Sequence, residues 1–287
     1  MRCCRLLALA AALLTCLAAG CATRPVVAPP AAALLSSGLA PLVAGFNRNA
    51  SAIQTMSLKL QLTARAGKKK YNRIGAFLLT RKPAGIRLWG TVPLLGRLFD
   101  MASNGTVFEL SIPSRGKFIE GQNDVIPEHV ANPFELLRPQ IILNALLINP
   151  VASADQVALD PSAEPGTYDV LVLQTTADSL DHIVRRITFS RLDLLPHRQV
   201  LYDRDGVHQT IATYDHFTVR NNVPIPTDIT INRPLEGYSL HLQLVPSGIV
   251  LNQPFTDPNT FQLTPPPGAT VIKLSAVGSP PAKVGQR

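Results

Sequence analysis

The sequence predicts an α+β fold dominated by β structure: one large curved antiparallel sheet, a half-open β-barrel of about eleven strands, with helices covering its concave mouth. Three observations carry that expectation. Apolar and polar residues alternate over many short stretches, the period-2 signature of a strand with one dry and one wet face. Turn dipeptides such as Asn104-Gly105 and Asp205-Gly206 separate consecutive stretches, so neighbouring strands fold back on each other. Only two segments carry the three- and four-residue apolar spacing of a helix, one ahead of the first strand and one mid-chain.

The first helix is expected from Ser36 onward, where Leu39, Leu42, Val43, Phe46, Ala50 and Ile53 share one face, and Ser36 or Ser37 can cap its start. Met56, Leu58, Leu60 and Leu62 then alternate with Ser57, Lys59, Gln61 and Thr63 in the first strand. Further strands are expected at 73–80, 86–91, 98–103 and 106–112, followed by a turn at 114–116 and a short strand through Phe118. Asn132-Pro133 opens a helical stretch over 134–147, interrupted by Pro139, with Leu136, Leu137, Ile141, Ile142, Ala145 and Leu146 as its apolar members. The second half is again strand-rich, at 169–175, 183–189, 198–202, 209–217, 225–231 and 238–245. Residues 276–287 read as a flexible tail. No internal linker divides residues 36–275, so one domain is expected.

A sheet of this size must cover its apolar face. Met56, Leu58, Leu60, Leu62, Phe77, Leu79, Leu88, Phe108, Leu110, Leu240 and Leu242 are expected to line the concavity, which either packs as dry core or leaves a cavity for an apolar ligand. Signals of catalysis are lacking: there is no Gly-x-Ser-x-Gly elbow and no phosphate-cradling glycine loop. The six histidines are scattered one per element, without metal-ligand spacing, and Asp215 and His216 point to opposite faces of a strand. The expectation is a binder with no cofactor and no metal, and a monomer. The formal charge of +8 is modest and is not interleaved with aromatic residues, which argues against nucleic acid. Its one cluster, Lys68, Lys69 and Lys70, sits between two strands, either as a solvated turn or as an attraction for anionic lipid or an acidic partner.

The N-terminus predicts an address. Arg2 and Arg5 precede an apolar run from Leu6 to Ala19 that is too short for a stable span, and Ala18-Ala19-Gly20 lead into Cys21. This resembles the lipobox of bacterial lipoproteins, which implies a signal peptide over 1–20 and acylation of Cys21. Cys3, Cys4 and Cys16 would leave with the signal, so no structural disulfide is expected. Residues 21–35, rich in proline and alanine, read as a tether. Ala22 follows the cysteine, and the resemblance then implies the periplasmic face of the outer membrane.

The order of elements, Gln54-Thr55 leading into a strand, the basic hairpin, and the run from Ile86 through Trp89 to Pro93-Leu94-Leu95-Gly96 resemble the LolA/LolB family of lipoprotein carriers and receptors, closest to the receptor LolB. The resemblance implies a cavity that holds the acyl chains of lipoproteins or other lipids, a LolA-like periplasmic carrier as partner, and a turn at Pro93, Leu94, Leu95 and Gly96 that touches the membrane. Met56-Ser57 stands where the receptor commonly has Arg-Gly, and the chain is longer than usual members over 150–166 and after Val245. A structural or scaffolding lipoprotein with a filled core is the alternative.

Overall fold

A computed structural model describes residues 33–123, 133–161, 163–175, 181–203 and 206–274. The expected signal peptide, Cys21, most of the tether, His129, Asp205 and the tail at 276–287 lie outside the described residues.

The first helix, α1 (Leu39–Ser51), buries Leu42, Phe46 and Ala50. Gly38 occupies its N-cap, with no side-chain bond, in place of either serine. Ser37 is engaged elsewhere: its N–H donates to Tyr168 Oη at 3.1 Å and its hydroxyl to Gly38 O at 3.3 Å. A long hairpin follows, β1 (Thr55–Ala66) and β2 (Lys69–Arg81), then β3 (Gly85–Val92), β4 (Gly96–Ser103), β5 (Val107–Ile112) and β6 (Lys117–Gln122). Asn104-Gly105 does reverse the chain, but in a three-residue loop with Thr106 that Ser103 Oγ ties together, accepting from Gly105 N–H and donating to Val107 O.

The mid-chain helical segment splits where Pro139 requires it, into a 3-10 turn at Pro133–Leu136 and α2 (Pro139–Ala145), with extended Arg138 between them. The second meander runs β7 (Gln156–Leu159), β8 (Thr167–Thr175), β9 (Asp181–Ser190), β10 (Pro196–Tyr202), β11 (His208–Arg220), β12 (Val223–Arg233) and β13 (Tyr238–Leu244). Two strands close the chain, β14 (Val250–Leu251) and β15 (Thr270–Leu274).

All fifteen described strands belong to one sheet, more than the eleven expected. Beyond the twelve stretches read from the sequence, the additions are β7, β14 and β15, each short and without strong alternation. The order is β15-β6-β5-β4-β3-β2-β1-β13-β12-β11-β10-β9-β8-β7, with β14 beside β1. Two antiparallel meanders are therefore joined at one seam, where Leu62 faces Leu242 and Leu60 faces Leu244. Among the described residues the one parallel pairing is β15 on β6.

Candidate functional site

Strand pairing decides which apolar residues face inward. Leu58 lies opposite Leu78 and Leu60 opposite Ala76, so the even-numbered positions of β2 join the concave face. Nine of the eleven expected cavity residues, Met56, Leu58, Leu60, Leu62, Leu88, Phe108, Leu110, Leu240 and Leu242, are buried together in one cluster. Phe77 and Leu79 are a correction: they lie on the outer face, Phe77 opposite Lys59 and Leu79 opposite Ser57. The run from Ala76 to Leu79 is apolar on both faces, so its alternation is ambiguous, and only the register with β1 resolves it. Outside, Phe77 stacks on Trp89 at 5.3 Å, and the guanidiniums of Arg87 and Arg97 lie over the indole at 5.6 and 5.8 Å. Both arginines pair with buried Asp100, which raises the Arg87 pKa.

Over the first meander the concavity is filled. Phe134 stacks on Phe99 and tilts over Tyr71, each at 4.7 Å, while Leu137 and Ile142 share the cluster of the inward leucines. Gly90 makes the room: a Cβ there would stand 2.5 Å from the Phe99 ring and 2.8 Å from Ile74. At the other end, α1 lays Leu42 and Phe46 on Val170, Val172, Ile187 and Phe189, and Asn47 locks it by exchanging two hydrogen bonds with the Val151 backbone, 2.8 and 3.0 Å. Between α1, β1 and the β11–β12 hairpin, an apolar cleft lined by Phe46, Met56, Leu146, Phe217 and Ile225 keeps about 30 Å³ of free space. A ligand pocket typically needs about 300–1,000 Å³. An acyl chain would therefore have to displace part of the helical filling.

The second meander has polar groups at inward positions, and sequence reasoning missed them as a site. Arg185 lies over the Phe46 ring at 5.0 Å and donates to Gln199 Oε1 and Asn149 O. Burial lowers its pKa to about 10. Burial also raises the pKa of the Tyr214 and Tyr238 phenols, with nearby arginines pulling the other way. Beyond them, between α2 and β9–β12, opens a cavity of about 470 Å³ lined by Arg138, Gln140, Asn144, Gln209, Thr210, Arg233 and Glu236, among others. The available signal was the alternation of arginines with apolar residues in β9, which puts Arg185 on the same face as Ile187.

One end of the sheet carries a different surface. Pro93, Leu94, Leu95 and Gly96 are all exposed in the β3–β4 hairpin, Leu94 fully and Leu95 at 75%. Leu95 N–H donates to Val92 O at 3.2 Å, with Pro93 second in the turn and Leu94 third at φ 67°, the layout of a type II turn. Glycine normally takes that third position; a leucine there costs about 1–2 kcal/mol of backbone strain. The β1–β2 turn with Lys68, Lys69 and Lys70 lies at the same end, as does the β12–β13 turn, joined to it by Gly67 N–H donating to Gly237 O. In that third turn Leu235 is 65% exposed.

Among the described residues no group of three His, Cys, Asp or Glu side chains converges as metal ligands, and no helix is long and apolar enough to cross a membrane.

No protein-family model matches the chain, and no curated protein matches it. Solved structures do. A DUF1329 family protein of Desulfovibrio piger superposes with a TM-score of 0.50 at 11% identity, covering 76% of this chain and 96% of that one. This chain shares its fold, a large, open, mainly antiparallel curved sheet with few helices. A LolA superfamily protein of Nitrosomonas europaea gives 0.48 at 14% identity, over 74% and 94% of the two chains. A putative outer membrane lipoprotein-sorting protein domain of Vibrio parahaemolyticus gives 0.49 at 10% identity, over 77% and 95%.

Proposed function

We propose that this protein is an outer-membrane-anchored, periplasm-facing lipoprotein, acylated at Cys21, that takes up acyl chains of lipoproteins or other lipids and passes them to the membrane. It performs no catalysis. The observation that carries the reading is the Leu94–Leu95 turn: two leucines stand in water, one of them in a left-handed backbone conformation. Nothing in the fold gains from that arrangement, whereas a bilayer would. Burying one leucine side chain in lipid returns about 1.5–3 kcal/mol, enough to bias docking and too little to anchor the protein. Leu235 on the adjoining turn adds a second apolar point, and Lys68, Lys69 and Lys70 between them favour an anionic surface. Acyl chains would enter where the helical filling meets the sheet, along the apolar cleft beneath α1.

The filled concavity also supports a second reading, a scaffolding lipoprotein that holds no ligand. Leu94→Glu with Leu95→Glu separates the two. On the carrier reading the double variant melts within a few degrees of the parent, yet loses transfer of a fluorescent acyl cargo to liposomes. A parent protein that neither binds nor transfers the acyl cargo removes the carrier reading. A double variant that unfolds removes the membrane role of the turn.

A further inference from the structure

The cavity between α2 and β9–β12 is separate from the apolar cleft beneath α1, and its chemistry is the opposite. Four of its lining residues, Asn123, Arg138, Thr210 and Arg233, are polar or charged and at least nine-tenths buried. Burying such groups costs free energy unless something meets them. Some needs are met within the protein: Arg233 donates to Thr210 Oγ1 at 3.0 Å and forms a two-pronged pair with Glu236, and Arg138 Nη1 donates to the carbonyls of Glu135 and Leu137. Ser103 Oγ gives its one proton to Val107 O, so the Asn123 side-chain amide 2.9 Å away meets that hydroxyl as a donor. The described lining carries two guanidiniums and one carboxylate, and the amides of Gln140, Asn144 and Gln209 stand round them. Ile141, Val184 and Leu201 supply an apolar wall. Arg138 is backed by the Phe108 ring at 4.5 Å, and burial lowers its pKa only to about 10, so it stays a cation at neutral pH.

We propose that this cavity is a binding site for a phosphate-bearing anionic head group, the polar end of an anionic phospholipid such as phosphatidylglycerol. Guanidiniums and side-chain amides are the donors a phosphodiester oxygen accepts from, and the apolar wall suits the glycerol and first methylenes. A free volume of about 470 Å³ admits such a group without moving a helix. Glu236, on the turn that carries Leu235, puts the cavity at the same end of the sheet as the exposed leucines, where a head group would arrive from a bilayer. The inference rests on the lipid-handling reading and adds to it the charge of the lipid.

The test uses the full chain carrying Cys21→Ser, so that no anchor competes, with half-exposed Gln209 at the cavity wall as the charge probe. Calorimetric titration with dihexanoyl-phosphatidylglycerol below its micelle concentration should show tighter binding than with the phosphatidylcholine analogue. Gln209→Glu should weaken the anionic ligand about tenfold and Gln209→Lys should strengthen it, with the zwitterionic ligand unmoved. Matched melting curves establish that both variants are folded. Equal affinity for the two lipids, or an anionic affinity indifferent to the charge at 209, overturns the proposal. Glycerol phosphate and inorganic phosphate are run beside them: if they bind as tightly as the lipid, the site holds a free phosphate anion and the lipid assignment falls. An uncharged monoacylglycerol reports on acyl uptake independently, so loss of that signal alone counts against the carrier reading and leaves the head-group site standing.

Discussion

The two meanders build their inner faces from different materials. From β1 to β5 the inward positions are mainly Leu, Ile, Met, Phe and Ala, and the helical segment beginning at Pro133 fits them closely. From β9 to β12 the inward positions include Arg185, Gln199, Thr210, Tyr214 and Arg233, and there the sheet and α2 stand apart around a cavity. Apolar side chains interdigitate in any orientation that fills space, whereas each buried polar group demands a partner in a fixed direction. The first half can close on itself; the second leaves room that a ligand or water can occupy.

The sharpest way to break this contrast is to cut into the apolar half. Leu62 is fully buried at the seam, so Leu62→Ala should cost about 3 kcal/mol in urea denaturation, from lost transfer energy plus an unfilled hole. A cost below about 1 kcal/mol would mean that the concavity is loosely packed.

The polar half should reveal itself in alkali. The Tyr214 phenol is held neutral by burial, so its folded pKa lies above the unfolded value, and the stability it contributes is intact below about pH 10 and declines as pH rises further. Each pH unit above that point should cost about 1.4 kcal/mol for this group. Tyr214→Phe should be no less stable than the parent at pH 8, because it removes a buried hydroxyl that has no partner among the described residues, and should outlast it at pH 11. Parallel decline of parent and variant would show that Tyr214 ionises freely.

A smaller effect is expected at the cavity. Thr210→Val deprives Arg233 of one acceptor, yet water in the adjoining space can replace it, so the loss should stay near 1 kcal/mol. A loss as large as that of Leu62→Ala would erase the distinction between the halves. Smallest of all, Leu94→Gly should raise stability by about 0.5–1 kcal/mol, the left-handed strain released less the entropy glycine adds to the unfolded chain. Destabilisation there would mean that the leucine is held by contacts within the fold.

Much of the sheet was legible because its strands alternate cleanly: Met56 to Leu62 and Tyr238 to Leu244 read directly as half-buried strands and lie side by side. Thr270–Leu274 was not legible, since it is held by its parallel partner on β6 and not by a pattern of its own. Phe77 and Leu79 were misplaced because both faces of β2 are apolar there, with Trp89 from the neighbouring strand covering the outer one. The exposure of the Pro93–Gly96 turn was expected from the family resemblance; its residues alone allowed both leucines to fold inward as core. The polar cavity was illegible for a different reason: Asn123, Arg138, Thr210 and Arg233 are far apart in the chain and meet only where the end of β6, the start of α2 and the β11–β12 pair converge.

The seam between β1 and β13 has a bearing on how the chain acquires its shape. Both flanks of the first meander wait for partners from the far end of the sequence: β1 for Leu242 and Leu244, and β6 for Thr270–Leu274. Pairings so remote carry a large loop-closure cost and form slowly. A chain emerging from its N-terminus would complete β1 to β6 early and then hold two unpaired strand edges open until the last residues arrived. Truncation after Leu251 should therefore strip β6 of its parallel partner and move the open edge of the sheet from β15 to β6, which faster hydrogen exchange of the 117–122 amides would report.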